Sequence, residues 1–158
     1  PVPDNFGEFK VALGQPEIMS EGTDLTLVTY GWNVNHAVKA AELLKSKGIS
    51  IEVVDVQTLL PFDVNHSILD SIKKTGKVIF VDEDVPGGAS AFILNEILNT
   101  QNAYKHLDSK PETLTAKAHR PAYGTDGDYF SKPNAEDVFE CVYTMMHDTN
   151  PTKFPQFL

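Results

Sequence analysis

The stretch LTLVTYGWNVNHAVKAAELLKSKGISIEVVDV, residues 25–56, decides the architecture. Leu25–Tyr30 is a short apolar and β-branched run without polar alternation, the pattern of a strand buried on both faces of a parallel sheet. After Gly31, residues Val34, Ala37, Val38, Ala41 and Leu44 recur at helical spacing. Asn33 is the expected N-cap of that helix, and Lys45, Lys47 and Gly48 its stop. Ile49–Val56 is a second strong strand. Strand, helix and strand joined by such short turns read as one parallel crossover unit.

The same alternation continues downstream. Pro61 and Asp63 are expected to open a helix with Val64, Ile68 and Ile72 on one face, closed by Lys73, Lys74 and Gly76. Lys77–Val81 reads as a third strand, and Gly87-Gly88 leads into ASAFILNEILNT, a mostly apolar helix. Leu114–Ala118 is a weaker strand. Asn134, with Asp137 three residues on, predicts a capping box for a last helix whose apolar face is Val138, Cys141, Val142 and Met145. Upstream, Phe9–Ser20 is irregular, and Pro16 argues for an edge position. Pro121–Pro133 is a long irregular stretch. These elements predict one α/β domain, residues 1–158, with its core at about 9–147 and a tail over 148–158, and with helices on both faces of the sheet.

The chain has 158 residues, of which 41% are hydrophobic, enough for a single core of ordinary kind. Thirteen basic residues face twenty-two acidic ones, for a formal charge of −9, and Arg120 is the one arginine. Phosphate neutralisation needs clustered Arg and Lys, so no nucleic-acid partner is expected, and a basic protein partner is more plausible than an acidic one. Cys141 is the single cysteine and cannot form an internal disulfide. With no secretory leader pattern and no apolar run near the ~18 residues of a membrane helix, the expectation is a cytoplasmic protein without a membrane partner. The first residue is Pro1, not Met, so the chain is expected to be the C-terminal piece of a longer protein.

The familiar motifs of self-contained chemistry are missing. Gly31-Trp32-Asn33 follows the first strong strand where a dinucleotide site would need GxGxxG, and GxxxxGK[ST], HExxH, CxxC and GxSxG do not occur. Asp82-Glu83-Asp84 ends a strand, where α/β sheets place their sites. It reads either as a Mg²⁺ or phospho-acceptor cluster or, more simply, as a solvated acidic loop. Gly124-Thr125-Asp126-Gly127-Asp128 is rich in glycine and aspartate, but it sits in a proline-flanked loop with no strand–helix unit after it and reads as a turn. His36 and His66 fall early in helices, away from any partner in sequence. His119, beside Arg120, is the best contact candidate among the five histidines, and Cys141 is read as a small core residue.

The order of segments is more specific than any of these motifs. VALGQPEIMSEGTDLTLVTYG resembles the entry to the C-terminal domain of transketolase-like enzymes, closest to the beta subunit of the decarboxylating component of 2-oxo acid dehydrogenase complexes. ISIEVVDVQTLLPFD is similar to that family's strand and "(D)xRTLxPxD" turn, with Gln57 where Arg is usual. SIKKTGKVIFVDED resembles "SVxKTGRxxxVxEx", with Lys77 for the Arg. GGASAFILNEIL resembles the glycine-rich opening and helix that follow, and HRPAYGTDGDYFSKPNAEDVFE is more loosely like the final loop and helix.

The resemblance implies a three-layer α/β/α domain with a five-stranded mixed sheet whose first strand is antiparallel. It implies oxidative decarboxylation of a branched-chain 2-oxo acid or pyruvate, the branched-chain type being favoured, with acyl transfer to lipoyl. Thiamine diphosphate and Mg²⁺ would belong to the parent protein, with no cofactor or metal in this chain and no activity in the isolated chain. The implied partners are the cofactor-binding domains of the same enzyme, in a homo- or hetero-oligomer, and the lipoyl acyltransferase core. The same domain of transketolase or deoxyxylulose phosphate synthase, and a stand-alone Rossmann-like binding module, are the alternatives. Contacts are expected on the loops after the first and third strong strands, at Gly31, Trp32, Asn33, Glu83, Gly87 and Gly88, and at His119 and Arg120. A crevice forms there if the strand order reverses between those strands, and the amides opening the Gly88 helix would be free to receive an anion.

Overall fold

A computed structural model describes residues 4, 7–8, 10–120, 123–124 and 127–156. The elements run β1 (Glu17–Ser20), β2 (Leu25–Thr29), α1 (Asn33–Lys45), β3 (Ile51–Asp55), α2 (Ser67–Thr75), β4 (Val78–Val81), α3 (Ala89–Asn95), β5 (Glu112–Leu114), α4 (Gly127–Ser131) and α5 (Ala135–Thr149). They form the expected five-stranded mixed sheet, in the order β1-β3-β2-β4-β5, with β1 antiparallel to β3 and the other pairs parallel. All five residues of β2 are buried, as its unbroken apolar run demands of a central strand. β1 lies at the edge, directly after Pro16.

The sheet separates two cores. On one face α1 and α5 cover Leu25, Leu27, Ile51 and Val53, and the fully buried Ala37 and Ala40 of α1 bring that helix close to the strands. Phe154, beyond the end of α5, is buried in the same core, held where Tyr143 Oη donates to the Pro155 carbonyl. On the other face α2 and α3 cover Val28, Val54, Val78 and Phe80, with Ile68, Ile72 and Ile93 inserted between. Each such large side chain contributes about 1.5–3 kcal/mol by leaving water.

Polar groups inside the sheet are paired. Thr26 Oγ1 meets Ser71 Oγ at 2.6 Å and Thr75 Oγ1 at 2.8 Å. The Glu52 carboxylate, on β3 and 1% exposed, accepts from Lys74 Nζ and from the Gly22 amide. Burial alone would raise the Glu52 pKa, but these donors outweigh it and hold the carboxyl below the usual range.

Several boundaries differ from the sequence reading. Gly31, at φ +63°, turns the chain so sharply that Trp32 already has helical dihedrals. Asn33 is therefore the first residue of α1 and not its cap; its side chain is buried and no side chain caps the helix. α2 begins at Ser67, because Asp63 and His66 take positive φ and cannot extend a helix. Asp63 still serves it, accepting from the Ser67 and Ile68 amides, while Val64 lies outside the helix and half exposed. The apolar helix after Gly88 is α3 followed by a π-helical turn, Glu96–Thr100. The last strand is Glu112–Leu114, because the Ala116 and Lys117 amides leave the sheet to donate to the Asp84 and Ser131 carbonyls. The loop expected over 121–133 contains α4, although Thr125 and Asp126 lie outside the described residues. The capping box of α5 is present as expected. No helix among the described residues is long and apolar enough to cross a membrane.

Candidate functional site

From β2 the chain crosses to β3 on one side, and β4 then lies on the other side of β2 and leads to β5. The order thus reverses between β2 and β4, and their carboxyl ends open into a crevice, as the topology requires. It encloses about 350 Å³ and is walled by Trp32, Asn33 and His36 of the first loop and α1, Glu83 after β4, and Asp128, Tyr129, Lys132 and Asn134 around α4. Trp32 is 67% exposed and meets the His36 ring edge-on at 6.2 Å. Asn33 is 2% exposed, and its Nδ2 has no partner among the described residues. Lys132 Nζ lies 3.8 Å from both a Glu83 and an Asp128 carboxylate oxygen.

The acidic run after β4 is split among three tasks. Asp82 is fully buried and accepts from Tyr30 Oη at 2.6 Å, from the Asp84 amide and from the Ser90 amide at 2.7 Å. Burial would raise its pKa, but these hydrogen bonds hold it below the usual carboxylate range. The Tyr30 hydroxyl is pushed up, by burial and by Asp82. The first turn of α3 thus already holds an anion, the carboxylate of Asp82, so the Ser90 amide is not free as the sequence suggested, and Asp82 is not part of a solvated loop. Glu83 faces Lys132, and Asp84 caps its own loop at the Val85 amide. Among the described residues no group of three or more His, Cys, Asp and Glu is placed to hold a metal ion.

Of the residues singled out from sequence, Trp32, Asn33 and Glu83 come together in the crevice, and Gly31 adjoins Glu83. Gly87 and Gly88 lie at the start of α3, outside its lining. His119 is exposed with its ring 5.9 Å from Phe130, and Arg120 lies over the Tyr123 ring, both away from the crevice wall. His36 and Lys132, which sequence reasoning passed over, do line it.

A second concavity of about 840 Å³ runs between the open edge of β5 and α5. Asp108, Glu112, Asp137, Glu140 and Asp148 line it against one lysine, Lys110. The Asp82 amide bonds to the Leu114 carbonyl, so alternation turns the Thr113 amide and carbonyl toward the open side. Cys141 faces this groove, its thiol pushed up to about 11 by burial and by Glu112, which leaves it protonated at neutral pH. The sequence signal for the groove was the acidic and polar stripe Asp137, Glu140, Thr144 and Asp148 at helical spacing on α5.

Comparison with known proteins places this geometry. Residues 14–137 match the profile of the family described as Transketolase, C-terminal domain. The pyruvate dehydrogenase E1 component subunit beta of Rhizobium meliloti is 30% identical over 136 residues, covering 85% of this chain and 29% of that protein. The Bacillus subtilis subunit of the same name is 42% identical over 91 residues, 57% of this chain and 28% of that one. Among solved structures, a split gene transketolase, an inactive beta4 tetramer, superposes with TM-score 0.69 at 25% identity, covering 92% of this chain and 46% of that chain. Campylobacter jejuni transketolase, at TM-score 0.55 and 16% identity over 86% of this chain and 19% of that one, shares the fold. The chain spans about a third of the length of the curated relatives it matches.

Proposed function

We propose, from the premise that this chain belongs to the transketolase C-terminal domain family, that it is the assembly domain of a thiamine-diphosphate-dependent 2-oxo acid dehydrogenase acting on pyruvate or a branched-chain 2-oxo acid. The observation that carries the reading is the likeness to pyruvate dehydrogenase beta subunits along 85% of the chain. In this reading thiamine diphosphate and its Mg²⁺ lie outside this chain, which is supported by Asp82, the buried carboxylate at the strand end, whose two oxygens are taken up by protein donors. The cofactor is accordingly assigned to companion domains, and the work of this chain is packing and docking. The full-length parent enzyme, or its reassembled subunits, should release CO₂ from pyruvate or 3-methyl-2-oxobutanoate only with thiamine diphosphate and Mg²⁺ present, and the 158-residue chain alone should not. A parent inert toward both acids but active in ketol transfer between sugar phosphates would move the domain to transketolase.

The acidic groove beside β5 supports a docking role for a basic module of the lipoyl acyltransferase core. Asp108 pairs with Lys77 and Glu112 with Lys110, and the remaining Asp137, Glu140 and Asp148 set up a field that accelerates encounter and selects a basic partner. Reversing Glu112 and Glu140 together to lysine should weaken that association about tenfold at low ionic strength, mainly through the association rate, with the difference shrinking as salt is added. Surface plasmon resonance on the parent enzyme measures both constants. Equal affinities for parent and variant would discard the groove as the docking site.

A further inference from the structure

The crevice between β2 and β4 contains polar groups that the fold itself leaves unused. α1 is thirteen residues long, has no side chain capping its start and no acidic residue in its first turn. No carboxylate hydrogen-bonds the amides of its first turn, unlike α3, which receives Asp82, and α2, which receives Asp63; the Glu83 carboxylate only adjoins Gly31 just ahead of it. Asn33, in that first turn and in the crevice wall, is buried with its Nδ2 unpartnered among the described residues. An unmade hydrogen bond of this kind is costly unless a ligand supplies the acceptor.

Lining the same crevice, Lys132 forms long ion pairs with Glu83 and Asp128. At 3.8 Å, Lys132 is beyond hydrogen-bond distance of Glu83 and of Asp128, so its three donors and their carboxylate oxygens are available to a third party. Trp32 offers an exposed indole face, and Pro133 an apolar wall. A cavity of about 350 Å³ is of small-molecule size.

Donors at one end, carboxylates beside them and an apolar wall match a single chemistry. We infer that the crevice binds a small apolar α-amino acid as its zwitterion, with the carboxylate toward the α1 terminus and Lys132, the ammonium on Glu83 and Asp128, and the side chain against Trp32. A simple anion would face two carboxylates, and a simple cation would face Lys132 and the positive end of α1. The zwitterion satisfies both sets, and the inference does not depend on which 2-oxo acid the parent enzyme uses.

Trp32 is the one tryptophan of the chain, so its fluorescence reports on this crevice alone. Titration of the chain with L-leucine should change Trp32 emission saturably, with a dissociation constant that calorimetry reproduces. The variants Lys132→Gln and Glu83→Gln, both at partly exposed positions, should each weaken binding about tenfold or more, as expected for loss of one charge-assisted hydrogen bond. Two probes separate the alternatives: 4-methyl-2-oxopentanoate carries the carboxylate without the ammonium, and 3-methylbutylamine the reverse. Binding of either as tight as that of leucine overturns the zwitterion assignment. So does the absence of saturable binding by leucine, or leucine binding that is unchanged in both variants while circular dichroism shows them folded.

Discussion

Gly22→Ala should abolish cooperative folding of the domain or cost more than about 4 kcal/mol, at the extreme end of single substitutions. A β-carbon on Gly22 would stand 2.1 Å from the carbonyl carbon of Ile51 and 2.3 Å from the Glu52 nitrogen. Those are main-chain atoms of the strand next to the sheet centre, and no side-chain rotation relieves them. The turn is also tied down on both sides. The Thr23 and Asp24 amides donate to the Ser50 carbonyl, the Ser50 amide donates to Asp24 Oδ2 at 2.7 Å, and the Gly22 amide donates to Glu52. Accommodating the methyl group means separating the β1–β2 turn from the start of β3, and with it the Glu52–Lys74 pair. Urea unfolding followed by circular dichroism measures the loss; a variant within 1 kcal/mol of the parent would show that the close approach is not needed.

Asp82→Ala should destabilise the domain by about 3 kcal/mol at neutral pH, because it strips an acceptor from the Tyr30 hydroxyl, the Ser90 amide and the Asp84 amide at once. Asp82→Asn keeps the shape but accepts through one oxygen only, and should cost roughly half as much. The pH dependence has a definite sign. The folded carboxyl titrates below its unfolded value, so the contribution of Asp82 is complete above the unfolded carboxylate pKa and is lost as pH falls through the folded one. Parent and Asp82→Ala stabilities should therefore converge in acid and diverge toward neutrality. Parallel pH profiles would mean that the fold leaves the Asp82 pKa at its unfolded value, and stabilities that converge toward neutrality instead would mean that the fold raises it.

The sheet was readable because its central strands are unbroken apolar runs and its helices have stops such as Gly48 and Gly76, whose effect is local. The boundaries that moved depend on atoms far away in the chain. β5 ends where Asp84 and Ser131 capture the next amides, and Asn33 became a buried helical residue because Gly31 set the dihedrals ahead of it. The crevice was half legible. Topology announced the loops after β2 and β4, and thus Trp32, Asn33 and Glu83. Lys132 and Asp128 come from a stretch whose short helix has too few turns to show a period. Asp82 illustrates the limit most clearly: three adjacent acids look alike in sequence, yet one is sealed inside as the anchor of α3 while its neighbours face outward.

The division of the interior by the sheet also bears on how the protein is made. The strands and helices of the second core come from one contiguous middle portion of the chain, whereas the first core joins α1 to α5, from opposite ends of the described fold. A chain emerging from the ribosome can close the α2–α3 side early while Leu25, Leu27, Ile51 and Val53 still wait for α5. Until that helix is synthesised, the first face of the sheet has only α1 over it, and its uncovered apolar part is where a chaperone would hold the nascent domain.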